Sequence, residues 1–414
     1  MPLAEEDKAI LALESDTIAG HVCKVVVCSA PAELEALRER VAEGLAAAPV
    51  LTCRLGEEDG VPAWLPSEGF DPRDHVRAAA VGGPLSQAEL AAEVARLFEQ
   101  RLDRSRPLWA IDLAPLEDGG SALIWRIHHA LADGTASMRY ARLLLWDAAE
   151  SAPAEPPKPH HAAEAEDARR RHHLAGFIRR ELGESLHHSP FDGRIGRRRE
   201  IALASIHLRP LHDAAKELQG ATLNDAVLAV VAGAVGRWVE ATHGSLGALR
   251  VKVPVSLHHE GDDAGNRDSF FTLSLPLNER DPVRRLAAIH AATAERKADH
   301  DAETMDSLIT GLSRVSPRLE AFAERVVRNP RNFAINVSNV PGPRQPVSVL
   351  GAPVEKLHSI AEIGRRHALR ISVVSLCDSL QFGFCADPAI VEDLGAMADG
   401  VAIEAQALVD AASA

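Results

Sequence analysis

One stretch constrains this chain more than any other: an apolar strand that ends in two adjacent histidines. Residues 122–128 include isoleucine and tryptophan, which favour strands. His128 closes this predicted strand, and His129 follows it. Asp133-Gly134 then marks a turn, because glycine adopts backbone conformations that other residues resist, and apolar residues at helical spacing come next. The stretch therefore predicts an imidazole held firmly where a strand gives way to a loop.

Strand and helix patterns alternate along both halves of the chain. In the first half, a β-branched strand at 22–28 precedes a helix at 32–47. The second half repeats this order, with a strand at 201–208 and a helix at 211–218. A longer apolar helix is predicted to begin after Thr222, a residue type that caps helix starts. Because alternating strands and helices pack as layers, the sequence predicts a mixed α/β fold.

The chain of 414 residues is longer than one hydrophobic core usually serves, so we expect two domains. Residues 151–199 differ in kind from their surroundings, since prolines open this range and arginine clusters follow, with little apolar content. We interpret them as a connector between domains at 1–150 and 200–414. A solvated linker is the preferred interpretation. The alternative is a basic surface that contacts anionic lipid or the phosphates of a cofactor.

The composition argues against several classes of protein. A net charge of −14 is unlike a general nucleic-acid binder, whose binding domain would be basic. The five cysteines lack the paired spacing of a zinc site, and an odd, sparse set suits a reducing cytoplasm. The longest apolar run, 226–235, has about half of the ~20 residues of a spanning helix, and the acidic start lacks a signal-peptide pattern. We therefore expect a cytoplasmic protein, for which peripheral membrane contact stays open.

Of the five pairs of adjacent histidines in the sequence, one has a context that indicates chemistry. Three pairs lie in the predicted connector, whereas His128-His129 follows an apolar strand and precedes an Asp-Gly turn. A neutral imidazole, with a pKa near ~6.5, can take a proton from an alcohol or a thiol. The substrate's own hydroxyl would then be the nucleophile, which agrees with the lack of a Gly-x-Ser-x-Gly motif.

Asp133 has two interpretations beside this pair. It could brace the loop or orient an imidazole, and bracing is preferred because aspartate before glycine is a common turn element. A metal site of His128, His129 and Asp133 is the remaining alternative. Adjacent residues of a strand point to opposite faces, so both histidines can hardly bind one metal, and we predict no metal.

Residues 128–134 resemble the His-His-x-x-x-Asp-Gly motif of acyltransferases in the chloramphenicol-acetyltransferase-like superfamily. Further stretches resemble motifs of one family in it, the bacterial wax ester synthase/acyl-CoA:diacylglycerol acyltransferases. These stretches are Pro107-Leu108-Trp109, Asn224-Asp225, Gly265-Asn266-Arg267 and the segment 337–343, which contains Ser338, Asn339, Pro341 and Gly342. The start of the chain at 7–22 is also similar. The resemblance therefore covers nearly the whole chain except the connector.

This resemblance implies two chloramphenicol-acetyltransferase-like α/β sandwich domains with the active-site channel between them. It implies that His129 is the general base. His128 and Asp133 would support it, Asp133 through an ion pair with an arginine, and Gly134 would let the loop turn.

The other motifs receive supporting roles from the resemblance. Asn224 would lie at the second domain's face of the channel, and Asp225 would fix the start of its helix. We interpret Pro107-Leu108-Trp109 as packing, and the proline-rich turn at the end of 337–343 as a rigid wall of the channel.

The implied activity is O-acyl transfer from acyl-CoA to a long-chain alcohol or diacylglycerol, which forms wax ester or triacylglycerol without a covalent acyl-enzyme. Acyl-CoA would be a substrate, and no tightly bound cofactor is implied. Two alternatives stay open. The first is an acyltransferase that acts on a specialised-metabolite alcohol or amine, and the second is a non-catalytic member that binds lipid or an acyl carrier protein. Lipid substrates would suit peripheral contact with a membrane or lipid inclusion, and no nucleic-acid partner is expected.

Overall fold

Two six-stranded β-sheets form the framework of the protein in a computed structural model that describes residues 1–147, 189–256, 268–298 and 333–414. The strands are β1 (His21–Cys28), β2 (Cys53–Glu58), β3 (Val61–Pro66), β4 (Val76–Ala78), β5 (Trp109–Pro115), β6 (Ser121–His128), β7 (Glu200–His207), β8 (Leu249–Ser256), β9 (Asp268–Leu275), β10 (Ile335–Val340), β11 (Ser348–Val349), β12 (Ala352–Ala361), β13 (Leu369–Leu376) and β14 (Ser379–Ala386). The α-helices are α1 (Glu5–Leu11), α2 (Leu34–Leu45), α3 (Gln87–Phe98), α4 (Gly134–Leu144), α5 (Leu208–Gln219), α6 (Leu223–His243), α7 (Pro282–Ala298) and α8 (Leu394–Ala412). Most of the predicted connector, a predicted helix at 305–327 and Asn266 lie outside the described residues.

The order of the strands shows that both halves of the chain build the first sheet. This sheet has the order β11-β12-β1-β6-β5-β4, and the second has the order β7-β14-β13-β10-β8-β9. β12 comes from the second half of the chain and pairs antiparallel with β1, so that Ala361 lies opposite Val22. The predicted α/β class is confirmed, while the domain boundaries at 150 and 200 stay predictions.

The two sheets approach each other closely where β12 meets β14. Gly383 of β14 lies against the carbonyl oxygen of Ser359 in β12, and a Cβ atom at position 383 would collide with that oxygen. Beside this contact, the Nδ1 atom of His358 lies 3.1 Å from the carbonyl oxygen of Phe382. Glycine is required at 383 because the two backbones leave no room for a side chain.

β1 and β6 are buried along their whole length. A strand that is covered on both faces reads as a nearly continuous apolar run, and β1 and β6 follow this rule with few exceptions. Their antiparallel register places His21 opposite His128 and Lys24 opposite Trp125. The histidine pair therefore lies at the end of a fully buried strand.

Two helix starts are capped by their own side chains, and one of them is the predicted cap at Thr222. Ser86 opens a capping box at α3, and Thr222 and Asp225 form another at α6. β2 begins at Cys53 because Pro49 first opens a short 3-10 turn. Local side-chain chemistry thus fixes these ends.

No single helix in the described ranges has the length and apolar composition to cross a membrane. α5 and α6 pass that test only as a pair, and a bend of 99° separates them. α6 is a core helix, with nearly all of its side chains between Asp225 and Val239 buried. The apolar run at 226–235 therefore belongs to the protein core.

A buried ion pair connects β5 and β6 to α3. The Nη2 atom of Arg126 lies 3.1 Å from Oδ2 of Asp112, and its Nη1 atom donates to the carbonyl oxygen of Leu97 at 2.8 Å. Both charged side chains are almost fully buried. Removing one partner of such a pair leaves an uncompensated charge in a dry environment.

We predict that Asp112→Ala lowers the free energy of unfolding by about 3–5 kcal/mol, because Arg126 keeps its burial and loses its counter-ion. Urea unfolding followed by circular dichroism measures this change. The matched control is Asp74→Ala, which breaks an ion pair with Arg106 whose side chains are both more than half exposed, and which we expect to cost about 0–1 kcal/mol. Equal losses in the two variants would contradict the prediction.

Candidate active site

The loop that carries the histidine pair is fastened to two other segments by its backbone. The amide of His128 donates to the carbonyl oxygen of Leu108 at 2.9 Å, and the amide of His129 donates to that of Gly20 at 2.9 Å. The amide of Leu131 then turns back to the carbonyl oxygen of His128. Because the residue before β5 and the segment before β1 both hold it, the loop leaves β6 in a fixed direction.

His128 is a buried, structural histidine. Its Nδ1 atom accepts a hydrogen bond from the amide of Ala130 at 3.1 Å, so a neutral ring carries its proton on Nε2. That Nε2 atom lies 3.6 Å from Oε1 of Glu14, whose buried carboxylate also pairs with Arg104. Burial raises the pKa of Glu14, but the interactions with His128 and Arg104 outweigh it and hold the pKa below its usual value. The ring of His128 is therefore held by a hydrogen bond at Nδ1 and has a buried carboxylate beside Nε2.

His129 has a different environment from its neighbour. The residue is half-buried, and burial together with the positive charge of Arg370 in β13 lowers the pKa of its imidazole to about 4. The negative charge of Asp133 opposes this shift without reversing it. At neutral pH the ring is therefore uncharged and able to accept a proton.

Asp133 braces the loop, as the preferred interpretation of the sequence predicts. Its side chain caps α4 by accepting from the amide of Ala136 at 2.6 Å, and the residue is buried. The ion pair with an arginine that the resemblance implies stays a prediction. The negative charge of Asp133 also acts on Lys24, a buried lysine of β1, where it favours a higher pKa.

Sequence reasoning gave Lys24 no role. Its ammonium group donates to Oγ of Ser359 in β12 at 2.9 Å, and burial lowers its pKa to about 8, although Cys23 and Asp133 oppose this shift. A lysine inside an otherwise β-branched run was the only signal in the sequence. Its partner lies far away along the chain, so its place beside the site could not be deduced.

The other face of the site comes from the second sheet. A Cβ atom added to Gly134 would lie 3.0 Å from Cγ2 of Val340 in β10, so the histidine loop and this strand are in direct contact. One residue earlier, Nδ2 of Asn339 donates to Oδ1 of Asn224 at 3.4 Å. The structure thus brings Gly134, Asn224 and Asn339 to one seam between the sheets.

The rest of the segment 337–343 packs against β13, and its role as a wall of the channel stays a prediction. Ser338 donates to Oγ of Ser372 at 3.3 Å, and the amide of Gly342 donates to Oγ of Ser375 at 3.0 Å. A Cβ atom at Gly342 would collide with the carbonyl oxygen of Ser375, whereas Pro341 is exposed. The segment therefore follows β13 closely as it leaves the seam.

Pro107-Leu108-Trp109 packs behind the loop. All three residues are buried, and Nε1 of Trp109 donates to the carbonyl oxygen of Leu51 at 2.7 Å. The contribution of this stretch to the site is the carbonyl oxygen of Leu108, which holds the amide of His128. This agrees with the interpretation of the stretch as packing.

Asp225 fixes the helix that carries Asn224. Besides its capping contacts with Thr222, its carboxylate accepts from Thr293 at 2.6 Å and lies 2.9 Å from Nδ1 of His290, both in α7. Burial raises the pKa of Asp225, but these hydrogen bonds outweigh it and lower the pKa. The structure places Asp225 away from solvent, where it positions Asn224.

Within the described ranges, no group of three or more His, Cys, Asp or Glu side chains is placed to hold a metal ion. The alternative of a metal site at His128, His129 and Asp133 therefore has no support there. Asn266 lies outside the described residues, so its predicted role stays a prediction.

Comparisons with known proteins agree with this architecture. A family model described as the wax ester synthase/diacylglycerol acyltransferase catalytic domain matches residues 3–185, and one described as the WS/DGAT C-terminal domain matches residues 264–408. The probable diacylglycerol O-acyltransferase tgs1 of Mycobacterium tuberculosis is 27% identical over 374 residues, which cover 83% of this chain and 80% of the relative. O-acyltransferase WSD of Acinetobacter baylyi is 28% identical over 362 residues, which cover 78% of each protein.

Solved structures show the same fold. The wax ester synthase/diacylglycerol acyltransferase from Marinobacter aquaeolei VT8 superposes with a TM-score of 0.73 and 24% identity over the full length of both chains. The first condensation domain of the CDA synthetase superposes with a TM-score of 0.64 and 16% identity, covering 99% of this chain and 96% of that one.

Two sheets that meet at a histidine loop define the chloramphenicol-acetyltransferase-like fold that the sequence predicts. Within that class, the chain belongs to the wax ester synthase/diacylglycerol acyltransferase family and is an O-acyltransferase. The family resemblance and the enzyme class predicted from the motifs are confirmed.

The environment of His129 predicts how its protonation responds to Arg370. Arg370→Gln removes a positive charge that lowers the pKa of His129, so this pKa should rise from about 4 toward the usual value for imidazole. Diethyl pyrocarbonate modifies neutral imidazole, and mass spectrometry measures its reaction with His129 as a function of pH. As the pH falls, the reaction should stop at a higher pH in Arg370→Gln than in wild type.

The matched control is Arg366→Gln, because Arg366 is an exposed arginine four positions away. Its pH profile should overlay that of wild type. A profile of Arg370→Gln that is unchanged, or shifted to lower pH, would contradict the electrostatic account.

Proposed function

We propose that this protein transfers a fatty acyl group from acyl-CoA to a long-chain alcohol or diacylglycerol, with His129 as general base and without a covalent acyl-enzyme. The observation that carries the proposal is the position of His129. It is a half-buried imidazole that stays neutral at physiological pH, beside a seam that Asn224 and Asn339 reach from the other sheet. The names of the relatives, diacylglycerol O-acyltransferase and O-acyltransferase, support this substrate class.

The proposed reaction needs one proton carrier. His129 takes the hydroxyl proton of the acceptor as the alcohol oxygen forms a bond with the thioester carbonyl carbon. The tetrahedral intermediate then collapses, the carbon–sulfur bond breaks, and the imidazolium of His129 returns its proton to the departing thiolate of coenzyme A. Ester and free coenzyme A leave, and the imidazole is neutral again.

The developing oxyanion needs donors that are already in place. Asn339 donates its amide hydrogen to Oδ1 of Asn224, which fixes the orientation of the Asn224 side chain. We assign the Nδ2 group of Asn224 as a donor to the oxyanion. A donor of this kind contributes about 2.7–4 kcal/mol in other acyl-transfer sites.

Long acyl chains and lipid acceptors also bear on where the enzyme acts. Each buried methylene contributes about 0.8 kcal/mol, so an apolar channel between the sheets would favour long substrates. Peripheral contact with a membrane or a lipid inclusion is part of the proposal, because diacylglycerol and long-chain alcohols partition into lipid.

His129→Ala tests the proposed base. A positioned general base contributes about 10²- to 10⁴-fold, so release of thiol from palmitoyl-CoA in the presence of hexadecanol should fall by that factor while palmitoyl-CoA still binds. The control is His212→Ala, which replaces an exposed histidine of α5 and should leave turnover unchanged. Wild-type turnover in His129→Ala would refute the assignment.

The acceptor is tested separately. Palmitoyl-CoA is incubated with hexadecanol, dioleoylglycerol or a short alcohol, and the ester products are identified by mass spectrometry. We expect an ester with hexadecanol or dioleoylglycerol and little with the short alcohol, because the short chain buries fewer methylenes. No ester with any of the three would exclude the proposed acceptors and favour a specialised-metabolite acceptor or a non-catalytic role.

A further inference from the structure

The segment before β1 holds the proposed base. The carbonyl oxygen of Gly20 accepts the amide hydrogen of His129 at 2.9 Å. Gly20 has a φ of +74°, and a Cβ atom there would lie 2.7 Å from Nε2 of His128. Only glycine combines this left-handed backbone with such close packing against the imidazole. Both histidines are therefore positioned against Gly20.

The same segment is held from its other side by a buried ion pair, Arg199 and Glu362. Oε2 of Glu362 accepts the amide hydrogen of Ala19 at 2.9 Å. The guanidinium of Arg199 donates to the carbonyl oxygen of Thr17 and to Oε1 of Glu362, the latter at 2.9 Å. Only 2% of the Arg199 side chain and 8% of the Glu362 side chain are exposed. The pair thus binds both a carbonyl and an amide of the segment that carries Gly20.

The two partners come from distant parts of the chain. Arg199 ends the predicted connector, and Glu362 directly follows β12, a strand of the first sheet that comes from the second half of the chain. The carbonyl oxygen of Glu362 also accepts from Nη1 of Arg370 at 3.1 Å, and Arg370 is the arginine whose charge lowers the pKa of His129. Glu362 therefore contacts two groups that act on His129, the segment with Gly20 and Arg370.

A buried ion pair is weak evidence for stability, because desolvation of the charges offsets their attraction. A geometric role is a better account here, because the pair binds both the carbonyl oxygen of Thr17 and the amide of Ala19, in the backbone that leads to Gly20. We propose that Arg199 and Glu362 are positioning residues for acyl transfer, which hold His129 in its reactive place through the segment 17–20. The inference rests on the proposed role of His129 as the base.

The chain offers a matched control in another buried ion pair, Arg285 with Glu404. Both side chains are about as buried as those of Arg199 and Glu362, and they connect α7 to α8 within the second half. Glu404→Gln therefore reproduces the loss of a buried carboxylate charge without touching the segment at 17–20. A merely structural role for Glu362 predicts the same behaviour from both variants.

The experiment compares Glu362→Gln, Arg199→Lys and Glu404→Gln with wild type in steady-state assays with palmitoyl-CoA and hexadecanol, at a temperature where circular dichroism shows all of them folded. Glu362→Gln should lower kcat by about 10- to 100-fold, as expected for a displaced catalytic group, and leave KM for palmitoyl-CoA nearly unchanged. Arg199→Lys keeps the charge but cannot bind Thr17 and Glu362 together, so its kcat should fall in the same direction. Glu404→Gln should keep the kcat of wild type.

A second readout does not depend on turnover. Hydrogen–deuterium exchange at the amide of His129 should accelerate in Glu362→Gln and stay slow in Glu404→Gln, because the acceptor oxygen of Gly20 becomes mobile in the former alone. Wild-type kcat in both Glu362→Gln and Arg199→Lys, or an equal loss of kcat in Glu404→Gln, would overturn the inference. If His129→Ala is inactive while Glu362→Gln is active, only this inference fails, whereas activity in His129→Ala refutes the proposed base itself.

Discussion

The pairing of β12 with β1 is the interaction on which the site depends. It brings β12, together with the short β11, from the second half of the chain into a sheet whose other four strands belong to the first third. Through this pairing Ser359 reaches Lys24, and Glu362 reaches the segment before β1. Because β12 also contacts β14 of the second sheet, one strand sets the distance between the sheets and so the width of the seam at His129. The candidate active site therefore depends on a strand that the second half of the chain contributes to the first sheet.

Because side chains alternate between the two faces of a strand, the two histidines lie in different surroundings. His128 points to the side where Glu14 and Gly20 enclose it, and both of its ring nitrogens have neighbours that fix the ring. His129 comes one residue later, so it faces different surroundings, near the charge of Arg370. The same alternation makes a shared metal unfavourable. Two adjacent residues of the same type therefore have different environments, a structural one for His128 and the one in which we propose a chemical role for His129.

The sequence could predict what depends on neighbours along the chain. It predicted the strand at His128, the cap at Thr222 and the loop-bracing role of Asp133, because each needs only a few adjacent residues. It could not predict partners that are far apart in sequence. Arg199 looked like the end of a solvated basic connector, yet it is buried against Glu362, 163 positions away. The family resemblance placed Asn224 and the segment 337–343 along the channel, but the hydrogen bond between Asn339 and Asn224 could be found only in the structure.

With a pKa of about 4, His129 looks too weak to serve as the proposed base for an alcohol, but both halves of the proposed acyl transfer must be considered. Burial and Arg370 keep the imidazole of His129 unprotonated at neutral pH, so nearly every molecule has its base ready. The same environment makes the imidazolium a strong acid, which returns its proton readily to a departing thiolate, whose pKa is near ~8.5 in model thiols. Proton removal is then coupled to formation of the carbon–oxygen bond, so that free alkoxide is never required. In the proposed mechanism, the low pKa of His129 is therefore compatible with both steps, because it keeps the base unprotonated before the attack and makes the imidazolium a ready proton donor after it.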